Sequence, residues 1–205
     1  MPVAVATETA APISTPVHEL IARRWSPRDF SERPVESEKL RSLFEAARTA
    51  PSSYNEQPWR FIVATRESPA DFGRLLSTLA ERNARWAQRA PVLILSVAKL
   101  IGEPTGEPNR HAFHDVGQAV AYLTFQATAL GLYLHQMGGF DAERARALLE
   151  IPEGYEPVAV IAVGYLDESA DGIPPARSRR ALEELVFSGR WGQPVEAIAQ
   201  PWRPV

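Results

Sequence analysis

The 205-residue chain carries 22 Lys and Arg against 25 Asp and Glu, a net charge of -3, and has a length at which one hydrophobic core stays contiguous. That balance supplies no global positive field for nucleic acid or an anionic membrane surface. There is no cysteine, which excludes disulfides, thiolate nucleophiles, Fe–S ligation and thiolate zinc sites, so redox chemistry would need a borrowed cofactor. Met1 to Thr15 is rich in Ala, Thr and Pro and has neither a basic residue nor a continuous apolar run. It lacks the parts of a signal peptide and reads as a tail of residues 1–15 ahead of a single domain of residues 16–205. No stretch approaches the roughly 18 apolar residues of a membrane span, and the expected location is cytoplasmic.

From Pro34, Leu40, Leu43, Phe44 and Ala47 recur with helical spacing, and that helix stops before Pro51. Phe61 to Thr65 is apolar and partly β-branched, a short strand, and a second helix is expected from Ala70 to Arg82 on Phe72, Leu75, Leu76 and Leu79. Val92 to Ala98 is a continuous apolar run of strand length, followed by a loop, Leu100 to Asn109, with two Pro and two Gly. Asp115 is read as the N-cap that opens a long helix with Val116, Ala119, Val120, Leu123, Ala127 and Leu130 on its face and Gly131 as its stop. Asp141 caps a short helix to Glu150, Pro157 to Leu166 is a Val/Ile-rich strand interrupted by Gly164, and Leu182 to Phe187 is expected to be helical. At least three strands interleave with helices, which gives a mixed α and β domain with helices on both faces of the sheet.

Three constellations carry chemistry. Arg23-Arg24-Trp25-Ser26-Pro27-Arg28-Asp29-Phe30 crowds three guanidiniums and a hydroxyl into one segment. Such a cluster can grip a phosphate, with Ser26 held out of helical geometry by Pro27, or it is a solvated charged turn. Ala50-Pro51-Ser52-Ser53-Tyr54-Asn55-Glu56-Gln57-Pro58-Trp59 sets short polar groups between prolines. That suits the edge of a planar heterocycle, or it is an ordinary helix-to-strand turn. Arg177-Ser178-Arg179-Arg180 precedes the last expected helix; it is a solvated helix start or, since arginines there oppose the macrodipole, a run better placed with an anion between them.

These segments, with Asn83 and Trp86 ahead of Ala90-Pro91, Asp115-Val116-Gly117, and Met137-Gly138-Gly139-Phe140-Asp141, resemble in order and spacing the signatures of the nitroreductase family of FMN-dependent oxidoreductases. The resemblance covers nearly the whole chain. It implies an α+β, nitroreductase-like fold with a mainly antiparallel central sheet, in an intertwined homodimer whose FMN sites lie at the interface. It implies that Arg24, Ser26, Arg177 and Arg179 hold the FMN phosphate, and that Arg28 and Asn83 meet the O2 and N3 edge of the ring, where positive charge favours reduction. Pro51, Ser52, Ser53, Asn55 and Gln57 would come from the partner chain, a Gly138 or Gly139 amide would donate to flavin N5, and His111 would border the pocket. Trp25 and Met137 belong to the same implied set.

Trp25 stands where other members have a smaller or more polar residue, and Gly138 where some have Glu, so acceptor preference is open while FMN is not. The implied activity is ping-pong hydride transfer from NADH or NADPH to a nitroaromatic, quinone or enone. Specific non-nitro reduction and non-enzymatic flavin storage are the alternatives. His111 and His114 invite a metal reading, but no third ligand is spaced to join them, and Phe113 with the Leu100 to Asn109 loop is where substrate contacts are expected.

Overall fold

The computed structural model of the chain describes residues 15–103, 106–170 and 179–196. Residues 23–172 form one compact unit, and residues 1–22 with 173–205 form another.

In the larger unit, α2 (Ser37–Arg48) packs its Leu43 and Ala47 inward and ends before Pro51, as its apolar spacing requires. Four strands follow, β1 (Trp59–Thr65), β2 (Val92–Lys99), β3 (Tyr133–Met137) and β4 (Tyr155–Gly164). They form one sheet in the order β1-β2-β4-β3, with every pairing antiparallel. β2 and β4 are central and apolar on both faces, which is why β2 reads as an unbroken hydrophobic run instead of alternating. Val92, Ile94, Ile161 and Val163 face a core built with α2 and α5 (Ala112–Ala129), through Leu43, Val116, Ala119 and Leu123. Leu93, Leu95, Val160 and Ala162 face a second core with Phe72, Leu75, Ala87 and Phe30. Each such buried Leu or Ile contributes roughly 1.5–3 kcal/mol.

Two helices stand where the periodicity predicts one, α3 (Pro69–Leu76) and α4 (Glu81–Ala87). The backbone between them is diverted: Leu79 bridges Phe140, Ala80 N donates to Gly139 O at 3.0 Å, and Thr78 O accepts from Asp141 N at 2.8 Å. Tertiary pairing wins over a continuous helix and places α4 against the glycine turn. β3 is the strand that the sequence conceals, because Tyr-Leu-His-Gln-Met is short and half polar.

α5 begins three residues before Asp115, with His111 at its N-cap and no side-chain cap; the expected N-cap role of Asp115 is therefore wrong. Gly131, with φ 73°, ends this helix as expected. Asp141 caps α6 (Ala142–Leu148), its carboxylate accepting from Arg144 N at 2.9 Å.

Gly164 closes β4 because a Cβ there would lie 2.6 Å from Pro91 Cδ and 3.2 Å from Phe30 Cδ1. Beyond it, Phe30 bridges Leu166, Ser31 N donates to Tyr165 O at 2.9 Å, and Asp167 N to Asp29 O at 3.0 Å. Tyr165 also ties the start of α2: its hydroxyl donates to Glu36 Oε2 at 2.5 Å and accepts from Lys39 Nζ at 2.6 Å. The Arg33 guanidinium lies 4.0 Å from the Tyr165 ring centre.

In the smaller unit, Leu182–Glu184 is a single 3₁₀ turn, not the expected helix to Phe187. Phe187 pairs back on Pro194 through Gly189 and Gly192, both at positive φ, and a six-residue run is too short to propagate helix against that pairing. α1 (Glu19–Arg23) ends at the boundary between the units. Among the described residues no helix is long and apolar enough to cross a membrane.

Candidate functional site

The Arg24–Phe30 segment is held from three sides. Its end is stitched to β4 at Phe30 and Asp29. Pro27 O accepts from His135 Nδ1 at 2.7 Å, and the His135 ring packs 4.5 Å from that of Trp86, which in turn stacks on Phe30. Trp25 meets Tyr133 edge-on at 5.9 Å. β3 and α4 thus fix a proline-containing strap, from which the Arg28 side chain is exposed while Pro27 is buried. Arg24 Nη1 lies 3.3 Å from Ser26 Oγ, donating to it, so the cation and the hydroxyl expected to grip one anion already share a locus.

α4, whose Trp86 stacks on Phe30 of the strap, carries Asn83 to the glycine turn. Asn83, 8% exposed, donates through Nδ2 to Gly139 O at 3.0 Å, and the same carbonyl accepts from Ala80 N. An alanine at 139 would put its Cβ 2.8 Å from Asn83 Nδ2, whereas one at 138 would meet nothing within 4 Å. Gly139 is required by its neighbour. Gly138 faces open space, and both carbonyls of the turn are engaged. Asn83 Oδ1 accepts no hydrogen bond among the described residues and remains the acceptor end of a fixed carboxamide.

The Pro51–Gln57 loop is built differently. Tyr54, Asn55 and Gln57 all have left-handed φ, 51°, 57° and 46°, which Asn tolerates but which strains Tyr and Gln. Ser52 Oγ accepts from Gln57 N at 3.0 Å, and Gln57 O and Trp59 O accept from Arg60 Nη1. Glu56 Oε2 accepts from Glu103 N at 3.1 Å, which joins this loop to Glu103, two residues beyond Ile101, itself bridged to Pro108. Asp115, 2% exposed on α5, accepts from Ser53 N through Oδ2 at 2.9 Å and faces His114 Nδ1 through Oδ1 at 3.0 Å. Tyr54 is 95% exposed at the loop tip.

The chain therefore assembles the expected residues in two groups. Arg24, Trp25, Ser26, Arg28, Asn83, Met137, Gly138 and Gly139 gather along β3, whereas the loop enters β1 at the opposite edge of the sheet. Three inter-strand spacings, roughly 14 Å, separate those edges. His111 is exposed at the N-cap of α5, near neither glycine turn nor strap by any hydrogen bond among the described residues. Arg179 lies in the smaller unit, and Arg177 lies outside the described residues. Among the described residues no group of three His, Asp or Glu is placed to hold a metal.

The sequence model of the Nitroreductase family matches residues 21–165. The chain belongs to the nitroreductase family. An NADH dehydrogenase of Thermus thermophilus is 31% identical over 196 residues, covering 80% of this chain and 92% of the relative. A 15.4 kDa protein of Mycolicibacterium smegmatis is 38% identical over 154 residues, 66% of this chain and 99% of that one. A crystal structure described as an oxidoreductase containing FMN superimposes with a TM-score of 0.82 at 33% identity, covering 89% of this chain and 96% of its own. The nitroreductase match contains both groups of site residues but stops short of Arg177 and Arg179.

Sequence reasoning missed which residues hold the strap and the loop in place. His135 and Trp86 fix the strap and Asp115 fixes the loop. A signal existed for Asp115, since it falls on the apolar stripe of α5, four residues before Ala119, where an ionised group needs a dedicated partner.

Proposed function

We propose that the protein is a cytoplasmic, homodimeric FMN-dependent oxidoreductase that takes hydride from NADH or NADPH and delivers it to a small organic acceptor in a ping-pong cycle. Nitroaromatics, quinones and enones are the acceptor classes, and residues 16–205 act as one domain. The observation that carries the reading is the β3-edge cluster. A guanidinium–hydroxyl pair, Arg24 and Ser26, stands on the same strap as the exposed Arg28, beside a carboxamide whose Oδ1 is an acceptor and a glycine turn with room above Gly138.

These residues fit FMN. Arg24 and Ser26 offer charge-assisted donors to a phosphate, joined in this reading by Arg177 and Arg179. Asn83 Oδ1 suits the imide N–H of the ring, and Arg28 supplies positive charge at that edge. The Gly138 and Gly139 amides suit the ring nitrogen at the reacting face, without a Cβ in the way. When bound, FMN supplies the two-electron chemistry. The protein's part is to hold the nicotinamide and then the acceptor in one slot at hydride distance.

The separation of the two residue groups supports a homodimer. Pro51, Ser52, Ser53, Asn55 and Gln57 leave the sheet at β1, so this loop completes a β3-edge pocket from a second copy, together with His111. The exposed Tyr54, Phe113 and Tyr122 favour such a contact. The test is an absorption spectrum of the purified protein before and after NADPH, then turnover across the three acceptor classes. Flavin absorbance bleached by NADPH and restored by acceptor is the expected result. Protein that carries no flavin and takes up none refutes the reading, and bound flavin that no nicotinamide reduces favours storage.

A further inference from the structure

We propose that Asp115 is a positioning residue that sets the conformation of the Ser52–Gln57 loop and, through it, cofactor affinity; the second half rests on the reading of that loop as part of an FMN pocket. Asp115 lies on the apolar face of α5, between Ala112, Val116 and Ala119, and is 2% exposed. A carboxyl group buried there is costly unless hydrogen-bonded. Its Oδ2 accepts from Ser53 N at 2.9 Å, across 62 positions of sequence.

The loop it grips is strained. Tyr54 and Asn55, directly after Ser53, sit at left-handed φ, and so does Gln57 beyond a right-handed Glu56; such backbone persists only where its surroundings over-determine it. The other restraints on the loop are local or exposed: Ser52 to Gln57, Gln57 to Arg60, and Glu56 to Glu103. Asp115 alone among them is buried and ties the loop to the helical layer that packs on the sheet. Removing that acceptor frees Ser53 N–H and lets three left-handed residues relax. Asn55, Gln57 and the two serines then lose the geometry in which they would meet the ring.

The experiment compares the full chain with Asp115→Ala and Asp115→Asn. Asparagine retains an acceptor for Ser53 N–H at nearly the same place, so it is the rescue variant. In the cofactor-free protein, amide exchange at residues 53–57 should rise tenfold or more in Asp115→Ala and stay within about threefold of wild type in Asp115→Asn. The dissociation constant for FMN should rise about ten- to a hundredfold in Asp115→Ala only. Should Asp115→Ala fail to fold, Ser53→Pro removes the backbone donor together with the Ser53 hydroxyl, and is therefore read by amide exchange at residues 54–57, which should rise tenfold or more, and not by FMN affinity. Ser52 before it is extended (φ -145°, ψ 156°) and accepts a proline after it. Unchanged exchange in Asp115→Ala, or raised exchange with unchanged FMN affinity, overturns the proposal while leaving the cofactor reading intact. Wild-type protein that takes up no FMN overturns that reading instead, and the exchange data then decide the tether by themselves.

Discussion

Gly138 and Gly139 are adjacent in sequence, yet substitution by alanine should affect them very differently. A Cβ on residue 139 lies 2.8 Å from Asn83 Nδ2, closer than real Cβ contacts come. Asn83 is buried and its Nδ2 is bonded to the carbonyl of residue 139. It must either be pushed aside, which is overpacking, or rotate and lose that bond. Gly139 O keeps its Ala80 partner in either case, so no buried acceptor is orphaned and the loss should be about 1–3 kcal/mol. A chain of this size falls by about 2–4 °C per kcal/mol, which puts the drop in Tm of Gly139→Ala at about 2–12 °C. Gly138→Ala meets nothing within 4 Å and has no left-handed φ, so its Tm should be unchanged or slightly raised. Thermal melts of the cofactor-free proteins followed by far-UV circular dichroism measure both. In an Asn83→Ala background the added Cβ at 139 has room, and the cost of Gly139→Ala should largely vanish. Equal losses at the two glycines, or a full loss at 139 without the Asn83 side chain, would refute the reasoning.

Arg24→Ala combined with Arg179→Ala should give folded, colourless protein, since the phosphate loses two charge-assisted partners at about 1.5–3 kcal/mol each; yellow protein after dialysis contradicts the phosphate assignment. Glu36 is held at about 2 instead of the ordinary 4.5, chiefly by the Tyr165 hydroxyl and then by its own backbone N–H, with Arg33 and Lys39 adding to it. The unfolded chain takes up this proton first as pH falls, so the stability from Glu36 is complete above about 4.5 and is lost as pH drops toward about 2. Urea unfolding of wild type and Glu36→Gln should therefore differ at neutral pH and converge in acid; a constant difference means that the Tyr165 bond does not set this titration. Gly164→Ala forces a Cβ to 2.6 Å from the Pro91 ring and should cost about 3 kcal/mol, read as a lowered urea midpoint at unchanged slope. Sedimentation should give a dimer, and a monomer that still holds FMN would remove the role given to the loop.

Much of this was legible in the chain because periodicity and capping are local. α2, β2, the stop at Gly131 and the Asp141 cap follow from residues within one or two turns of each other, and so does the α+β class. What failed was non-local. The Ala70–Arg82 pattern promised one helix, but Leu79 and Ala80 are claimed by Phe140 and Gly139 from 60 positions away. Asp115 was assigned a local job, capping its own helix, because helix starts favour Asp. Its oxygens serve Ser53 instead, and the misreading has a cause: a carboxylate four residues from Ala119 sits on the buried stripe, where an N-cap would be half exposed. His135 reads as a structural or solvated residue, inside a strand too short and polar to recognise, and nothing local shows that the carbonyl it binds belongs to the proline between Ser26 and Arg28. The motif residues announce which ligand chemistry is available, while the residues that aim them are ordinary in composition and depend on topology. Strand order then decides how they can act. With β1 and β3 at opposite edges of the sheet, roughly 14 Å apart, the loop and the glycine turn form separate groups within one chain, and that gap is what the proposed second copy would close.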